Sequence, residues 1–450
     1  MSTHGPGRSI ALDAPRHSIT ARGSRDVWLM GAWSVIAFLL PMYRQLPDAA
    51  RVLWFAGVFS LIVGSAVFLR LARPLFPGVW LFAGLASAIA VLTATDTATI
   101  PENAFVGAQL FAVLGLAVFV MTANVRRSRN FVAAFSLSFL AGQSASSLAG
   151  IAQAAGFDVL GIETVQGRAA GLSSHPNVLG LMSSIAILVC LTMLLRGAPQ
   201  LGTSFARVAL GALTVVNVGG LLSTGSLSSM MSAGIGVLVT VAVMRDRIKH
   251  FVLAVVATAA SLWFVAEFTS VFNTFRSPAD RYLQVTGQTT ADSTWDIRKL
   301  TYEYAWQSIK EAPLFGRGLP AEYGGTYDGI TLTHNIFLRA WFQGGVLLAI
   351  AVGAIIIAIA VAAIRAVVRK QHGGAAGVLV TIAAFALTSA FFEQPDYWLP
   401  AIVAWAAISV DSNGLQPPQR WRQSDVHVGV RESVSTRSKA RSAGDLETTN

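Results

Sequence analysis

Long uninterrupted runs of apolar residues constrain this chain more than any other feature of its sequence. The runs are about 18–22 residues long, which is the length that a helix needs to cross the hydrocarbon core of a bilayer. Each run should be helical, because a strand edge exposed to lipid would leave backbone groups without hydrogen bonds. The sequence therefore predicts an all-α, polytopic membrane helical bundle with about twelve transmembrane helices.

The expected spans take up nearly the whole chain. They are residues 27–43, 51–70, 78–95, 104–123, 131–152, 177–195, 205–222, 227–244, 250–270, 340–366, 375–392 and 397–411. Residues 1–26 precede the bundle as a cytoplasmic segment, the bundle with its loops covers 27–411, and 412–450 are expected to be a disordered cytoplasmic tail. Only 12% of the residues are charged, against roughly 25% in an ordinary soluble domain, so a soluble fold is excluded.

The basic residues predict which side of the membrane each loop faces. With both termini in the cytoplasm, 23 of the 33 Lys and Arg residues lie on the inner side, and every short inner loop is basic. The loops 96–103 and 393–396 then face outward and carry acidic residues without Lys or Arg. This is the positive-inside pattern of a protein of the inner (plasma) membrane. The net charge of +10 therefore indicates topology and affinity for anionic lipid, and we expect no nucleic-acid binding.

Two outer segments are long, namely residues 153–176 and the large extracytoplasmic loop 271–339 between helices 9 and 10. A long loop in an otherwise tight bundle is usually functional. Within the second loop a capping-box-like start at 293–296 predicts a helix that ends near Pro313. We expect one face of this helix to carry Ile297, Leu300, Thr301 and Tyr304. Arg298 is expected at the edge of that face, and the helix should lie on the membrane or the bundle as a lid.

Several functional classes lack the residues that they need. No Asp, Glu, Lys or Arg falls in the middle of an expected span, whereas ion-coupled transporters usually carry such a group. The P-loop, the His-Glu-x-x-His motif and the Gly-x-Ser-x-Gly motif are absent from the sequence. A single cysteine, Cys190, excludes an intrachain disulfide and a cysteine metal site. We expect neither a cofactor nor a metal.

Polar residues that could carry chemistry gather in the outer segments. They are Arg168, His175 and Asn177 before the sixth span, Arg276, Arg281 and Arg298 in the large loop, and His334 and Asn335 where that loop re-enters the membrane. Guanidinium groups bind phosphate with fork geometry, and a histidine beside them could take a proton from a hydroxyl. The set suits a reaction whose leaving group is a phosphate or pyrophosphate.

Structural explanations for the same residues remain open. His175, Pro176 and Asn177 could simply begin the sixth span, with proline in the first helical turn. His334 could be a histidine at the membrane interface. The loop arginines could bind lipid headgroups or pair with nearby aspartates.

A short motif at the re-entry point resembles a known signature. The pair His334-Asn335 is followed after nine residues by Gly345, at the start of a membrane helix. This resembles the signature of the O-antigen ligase and O-antigen polymerase superfamily. The family often has a second glycine three residues further on, where this chain has Leu348.

Three further elements bear on the resemblance, which covers roughly residues 160–410. Arg298 through Trp306, followed by Pro-Leu-Phe-Gly-Arg-Gly at 313–318, is similar to the family's Arg-x-x-x-Trp helix and its Pro-Leu-x-Gly-x-Gly segment. Arg168-Ala-Ala-Gly followed by Pro176-Asn177 resembles its Arg-x-x-Gly…Pro-Asn element. One turn departs from the family, because residues 223–225 are Ser-Thr-Gly where Ser-Arg-Gly is common.

The resemblance implies a membrane glycosyltransferase of cell-surface polysaccharide synthesis, either a ligase or a polymerase. It would move a glycan from an undecaprenyl-pyrophosphate donor to a hydroxyl of a glycan or lipid-glycan acceptor, on the outer face of the cytoplasmic membrane. His334 would accept the hydroxyl proton, and Arg168, Arg281 and Arg298 would neutralise the pyrophosphate. The further substrate-binding residues would be Asn335, Arg276, Arg317, Arg339, His175 and Asn177.

Two alternatives come from other classes. A flippase or transporter of lipid-linked sugars would need an inward-open cavity with a charged lining, which the expected spans lack. A scaffold of an envelope-polymer machine would tolerate replacement of His334 and of the loop arginines. A large outer pocket lined by these residues would favour the enzyme over the scaffold.

Overall fold

The computed structural model describes residues 17–412 except for 129, 166, 197–203, 269–282, 284–287, 289–293, 321–330, 390, 391 and 393. This part of the chain is helical and has no β-strand. Its helices are α1 (His17–Leu39), α2 (Asp48–Phe68), α3 (Pro77–Thr93), α4 (Ile100–Arg127), α5 (Phe131–Ala154), α6 (Pro176–Arg196), α7 (Ser204–Ser223), α8 (Leu227–Val243), α9 (Ile248–Phe268), α10 (Thr294–Glu311), α11 (Ile336–Arg369), α12 (Gly373–Ala386) and α13 (Pro395–Ser412).

The all-α membrane bundle is confirmed at this level, and each expected span coincides with a described helix. Six of the helices are long and apolar enough to cross a membrane, namely α2, α4, α5, α6, α7 and α11. Apolar stretches of 10–17 residues occur in α1, α3, α8 and α12. The count of about twelve crossings and the placement of the large loop stay predictions.

Hydrogen bonds between distant loops define one end of the bundle, which we call the long-loop end. They join Gln45 to Ser173, Arg168 to Thr224, Thr97 to Arg317 and Asn335 to Leu387, at 2.7–3.1 Å. The topology predicted from the Lys and Arg residues places every one of these loops on the outer side. Their mutual contacts therefore support the predicted alternation of the spans.

The other loops meet at the opposite end, which we call the basic end. Arg127 pairs with Asp26 at 2.6 Å, the Trp405 indole donates to the Leu75 carbonyl, and Thr240 donates to the Gly373 carbonyl. Charge assigns these segments to the cytoplasmic side.

Helix α11 differs from the straight span expected at 340–366. It begins at Ile336, contains 34 residues and is broken at Gly345, where φ is 81° and ψ is 178°. A straight helix of that length would measure about 51 Å, well beyond a hydrocarbon core of about 30 Å. The break separates a short first segment at the long-loop end from the part long enough to span the membrane.

Helix α12 also differs from expectation, because it ends at Ala386 whereas the expected span continued to 392. The Leu387 carbonyl, just beyond the helix, instead accepts the side-chain amide of Asn335 at 3.1 Å. The chain thus leaves the helix early and contributes to the long-loop end.

Helix α10 confirms the helix expected in the large loop, and its expected apolar face is buried only in part. Thr301 is buried and Ile297 and Tyr304 are half-buried, whereas Leu300 is 46% exposed. The helix packs on α11 at the polar end of the bundle, so small and hydroxyl-bearing side chains face inward. Arg298 is half-buried, as expected for a residue at the edge of the buried face.

Candidate functional site

The loop before α6 is held against α5 by one amide side chain. Gln153 accepts hydrogen bonds from the backbone N–H groups of Ala170 and Gly171, at 3.2 and 2.8 Å, and donates to the Gly171 carbonyl at 3.2 Å. Gly171 has φ of 60°, and a Cβ at this position would meet the Ser146 carbonyl of α5. Only glycine fits this approach. The loop is thereby fixed at the mouth of the bundle.

Arg168 projects from this loop into a buried position, with 9% of its surface exposed. Its Nε donates to the Thr224 carbonyl at 2.7 Å, and its Nη2 donates to Oδ1 of Asn177 at 2.7 Å. The turn that supplies Thr224 contains Gly225 at φ of 56° and passes beside the guanidinium. Both contacts fix the plane of the guanidinium group before any ligand binds.

His175 and Asn177 lie at the start of α6 and support Arg168. The backbone N–H of Asn177 donates to Nδ1 of His175 at 3.1 Å, so a neutral His175 carries its proton on Nε2. Oδ1 of Asn177 also accepts from Ser226 Oγ at 3.0 Å. Burial and then the positive charge of Arg168 lower the pKa of His175 to about 4. His175 is therefore an uncharged hydrogen-bond donor at neutral pH.

Helix α10 is tied to the start of α11 at His334. The hydroxyl of Tyr302 donates to the His334 carbonyl at 3.0 Å, and the hydroxyl of Thr333 donates to the Thr301 carbonyl at 3.5 Å. Arg298 lies four residues before Tyr302, so the two side chains share one face of α10. These contacts bring the guanidinium of Arg298 close to His334.

Two buried polar atoms at this junction have no hydrogen-bond partner among the described residues. They are Nδ1 of His334 and Nε of Arg298. Burial lowers the pKa of the Arg298 guanidinium, because the charged form has lost its hydration. A buried donor or acceptor without a partner is costly, so the pair is suited to a ligand that has both an anionic oxygen and a hydroxyl proton.

The pKa of His334 is lowered by its burial and by neighbouring positive charges. Burial lowers it to about 4, and the positive charges of Arg298 and Arg339 and the nearby His175 act in the same direction. The Leu332 carbonyl opposes them. The charges that lower the pKa of His334 therefore come from both α10 and α11. The imidazole is neutral at pH 7 and its lone pair can accept a proton.

Arg339 lies one turn into α11 and is fully buried. Its Nε donates to Oε1 of Gln343 at 2.7 Å, and its guanidinium lies over the ring of Phe392, 5.5 Å from the centroid. Gln343 in turn donates to the Leu319 and Pro320 carbonyls. Arg339 thus contributes positive charge from below His334.

Asn335 has a structural task at the same junction. Its Oδ1 caps α11 by accepting from the N–H groups of Phe337 and Leu338, both at 3.0 Å. Its amide nitrogen donates to the Leu387 carbonyl at 3.1 Å. These bonds fix the backbone beside His334, so Asn335 is placed to position the histidine.

Arg317, a predicted phosphate contact, lies apart from the histidines. Its Nε donates to Asp96 at 2.9 Å, and a second nitrogen lies 3.4 Å from Glu311. Two carboxylates therefore already balance its charge. Arg276 and Arg281, also predicted to contact the phosphate, lie outside the described residues.

The segment 313–318 packs directly against the break in α11. The N–H of Arg317 donates to the Phe342 carbonyl, that of Gly318 to Gln343, and that of Val346 to Leu314, at 2.9–3.2 Å. These bonds occupy backbone groups that the break at Gly345 leaves without helical partners. The two motifs that carry the family resemblance therefore form one structural unit.

Some residues of the site were not predicted from the sequence. Tyr302 links α10 to His334, Gln153 anchors the loop of Arg168, and the Thr224 carbonyl binds Arg168. Tyr302 could have been found from its four-residue spacing to Arg298. Thr224 acts through its backbone, which the sequence does not reveal.

The described residues contain no group of three or more His, Cys, Asp or Glu side chains suited to holding a metal ion. The nearest feature is the pair of histidines, which is surrounded by arginines. A cation would be repelled by that surrounding charge, whereas an anion would be attracted.

The membrane-length helices indicate a multi-pass membrane protein, and the cluster of arginines and histidines lies at one end of its bundle. The family model described as O-antigen ligase matches residues 212–353, which include Arg298, His334 and Arg339. This match supports membership of the chain in the O-antigen ligase superfamily, and with it a membrane enzyme of the O-antigen ligase and polymerase type. No curated protein matches the chain.

Proposed function

We propose that the protein transfers a glycan from an undecaprenyl-pyrophosphate-type lipid donor to an acceptor hydroxyl at the outer face of the cytoplasmic membrane. One observation carries the proposal: Nε of Arg298 and Nδ1 of His334 are buried without a hydrogen-bond partner among the described residues, on two segments that Tyr302 joins. The reaction supplies a partner for each, because it brings a pyrophosphate oxygen and a hydroxyl into one place. The family match to an O-antigen ligase supports the same reaction class.

In the proposed reaction the acceptor oxygen attacks the anomeric carbon of the donor glycan. A new carbon–oxygen bond forms while the bond from that carbon to the pyrophosphate oxygen breaks. His334 takes the hydroxyl proton, and the leaving pyrophosphate keeps the bonding electrons as negative charge. His334 is suited to this task because its imidazole is neutral at the pH of the periplasm.

The arginines act on the charge that develops on the leaving group. Arg298 donates through its unpartnered Nε, and Arg168 and Arg339 add fixed positive charge that needs no reorientation during the reaction. His175 donates through Nε2 to a pyrophosphate oxygen. Asn177 and Asn335 position Arg168 and His334, and Arg276 and Arg281 are further candidates for contacts with the phosphates.

The lipid tail of the donor would lie along the helices with its pyrophosphate at the long-loop end. That end faces outward in the topology predicted from charge, so both termini are cytoplasmic. The acceptor would be a glycan or a lipid-linked glycan. The scheme uses arginines and not a metal to balance the leaving group, so we expect transfer to need no divalent ion.

The test uses purified protein in lipid vesicles with a fluorescent lipid-linked glycan, an acceptor and EDTA. We expect transfer in the wild type, and a loss of about 100-fold or more in His334→Asn. His250→Asn is the matched control, since residue 250 lies near the start of α9, on a helix that begins at the basic end. It should transfer at the wild-type rate.

Each other outcome contradicts a defined part of the proposal. Full activity of His334→Asn would show that His334 is not the base. Loss of activity on chelation would show that transfer requires a metal ion. Movement of intact donor across the vesicle membrane without bond cleavage would show a flippase instead.

A further inference from the structure

A cavity lies toward the basic end of the bundle, away from His175 and His334. It has a volume of about 360 Å³ and lies between α5, α6, α12 and α13. Its lining includes Val132, Met193, His372 and Ala407. These residues belong to the halves of the four helices that are remote from Gln153, Asn177 and Leu387. If the pyrophosphate of the donor lies at the long-loop end, the lipid carbons next to it lie at that end too. The cavity is therefore separate from the proposed donor site.

The cavity offers almost no polar groups to a ligand. Its walls are mainly aliphatic and aromatic, with Phe139, Ile185, Val189 and Val378 among them. The hydroxyl of Thr192, one of its few polar members, already donates to the Leu188 carbonyl at 2.7 Å. An apolar cavity of this kind does not hold water well, whereas a hydrocarbon chain regains the dispersion contacts that an empty cavity loses.

Basic residues surround the ends of the helices that form the cavity. Lys370 precedes His372 by two residues, and Arg126 lies in the last turn of α4, just before α5 begins. Arg369 is the last residue of α11 and directly precedes Lys370, and the side chains of all three basic residues are exposed. Basic pockets between membrane helices on the cytoplasmic side bind the headgroups of anionic lipids.

We propose that this cavity binds one acyl chain of an anionic glycerophospholipid, whose phosphate lies among Arg126, Arg369 and Lys370. The inference is independent of the transferase reaction and concerns a lipid that stabilises the basic end of the bundle. The hydrocarbon chain accounts for the apolar walls, and the phosphate accounts for the charge around them. Neither feature alone would specify this ligand.

The test is native mass spectrometry of the purified full-length protein after addition of dioleoylphosphatidylglycerol or dioleoylphosphatidylcholine in equal amounts. We expect one phosphatidylglycerol to be retained about tenfold more than phosphatidylcholine. Ala375→Phe and, separately, Ala407→Phe narrow the cavity and should reduce this adduct about tenfold. Ala259→Phe is the control, because Ala259 is exposed on α9 and does not line the cavity.

A variant with Arg126→Gln, Arg369→Gln and Lys370→Gln removes the proposed phosphate contacts and leaves the cavity unchanged. It should retain both lipids equally, because the preference for the anionic one is lost. Equal retention of the two lipids by the wild type overturns the proposal. It is also overturned if both cavity-filling variants remain monodisperse and keep the phosphatidylglycerol adduct, or if the wild type retains no lipid.

Discussion

At the scale of single residues, the site is defined by groups whose hydrogen bonds are incomplete. Arg168 and Arg339 have partners that fix their guanidinium planes, whereas Nε of Arg298 has none among the described residues. A buried donor that has lost its water without gaining a partner costs free energy. A bound pyrophosphate would offset that cost, which makes Arg298 the residue most dependent on the ligand.

Replacement of Arg298 by lysine tests this dependence. Lysine keeps the charge but cannot present a planar fork from the same position, so we expect transfer to fall by about 100-fold. Thermal stability of the ligand-free protein should change little, since Arg298 is half-buried and lysine keeps the charge at this position. Lys299→Arg is the matched control on the next residue, where the side chain is exposed and pairs with Asp296 at 3.5 Å. Wild-type transfer by Arg298→Lys would show that Arg298 does not contact the phosphates.

The histidines predict the pH dependence of transfer. The pKa of His334 is about 4, so the base is unprotonated above about pH 5.5 and kcat/KM should be constant from there to about pH 8. It should fall at lower pH with a midpoint near 4. The measurement is kcat/KM between pH 3.5 and 8. A midpoint near the ordinary histidine value of 6.5 would show that His334 is not buried among arginines in the working enzyme.

The same two histidines should make the free energy of unfolding depend on pH. Both His175 and His334 have pKa values of about 4 in the folded protein, below the ordinary value of 6.5. As pH falls through 6.5, the unfolded chain binds protons first, so these residues lower the free energy of unfolding between pH 6.5 and 4. Thermal unfolding of wild type and His175→Asn across this range measures the effect, which should be smaller in the variant.

Sequence reasoning identified most of the polar residues that the structure brings together. Arg168, His175 and Asn177 form one connected group, and Arg298 and His334 lie close by. It could not separate these arginines from Arg317, because the sequence does not show which guanidinium meets a carboxylate. The structural role of Asn335 was also hidden, since a helix cap depends on where the helix begins.

At the scale of secondary structure elements, the unit formed by α11 and segment 313–318 depends on two glycines. Gly345 has φ of 81° and ψ of 178°, and a Cβ there would meet the Leu314 carbonyl. Gly316, with φ of 75°, lies against Gly345 from the other side. The break lets α11 begin at the site and still present an apolar span to lipid.

Gly345→Ala should therefore destabilise the protein by about 1–3 kcal/mol, because alanine does not adopt this backbone conformation without strain. Transfer should fall as well, since His334 and Arg339 lie on the segment before the break. Gly234→Ala is the control, because a Cβ there has nothing within 4 Å. Thermal unfolding and the transfer assay report both effects. Equal stability of the two variants would contradict the tight packing at Gly345.

The elements also show where sequence patterns were insufficient. Apolar run length located most of the helices to within a few residues, because burial in lipid depends on composition, but α1 begins well before its expected span and α12 ends before its own. The break at Gly345 was not predicted, since it depends on a distant segment packing against the helix. The inward face of α10 was predicted only in part, because that helix packs on a polar surface, where apolar periodicity carries little information.

At the scale of the whole molecule, the account requires the long-loop end to face outward. The hydrogen bonds between loops separate the two ends, and the basic residues predict which end is cytoplasmic. All site residues in the described part of the chain lie at the long-loop end. An inverted protein would expose the site to the cytoplasm.

Single-cysteine labelling tests this orientation in a Cys190→Ala background, because Cys190 is the only cysteine and is buried. Glu163→Cys adds a thiol to an exposed position at the long-loop end, and Gln371→Cys adds one at the basic end. A membrane-impermeant maleimide should label Glu163→Cys in intact spheroplasts and Gln371→Cys only after lysis. The reverse pattern would overturn the topology.

The central claim is that Arg298 and His334 meet the reacting groups of a lipid pyrophosphate. The most direct measurement is a cryo-electron microscopy structure of the protein in a lipid nanodisc with undecaprenyl pyrophosphate bound. We predict a phosphate oxygen about 3 Å from Nε of Arg298, with the His334 ring facing the oxygen that carried the glycan. A pyrophosphate bound elsewhere, with both atoms still buried and unpartnered, would contradict the account.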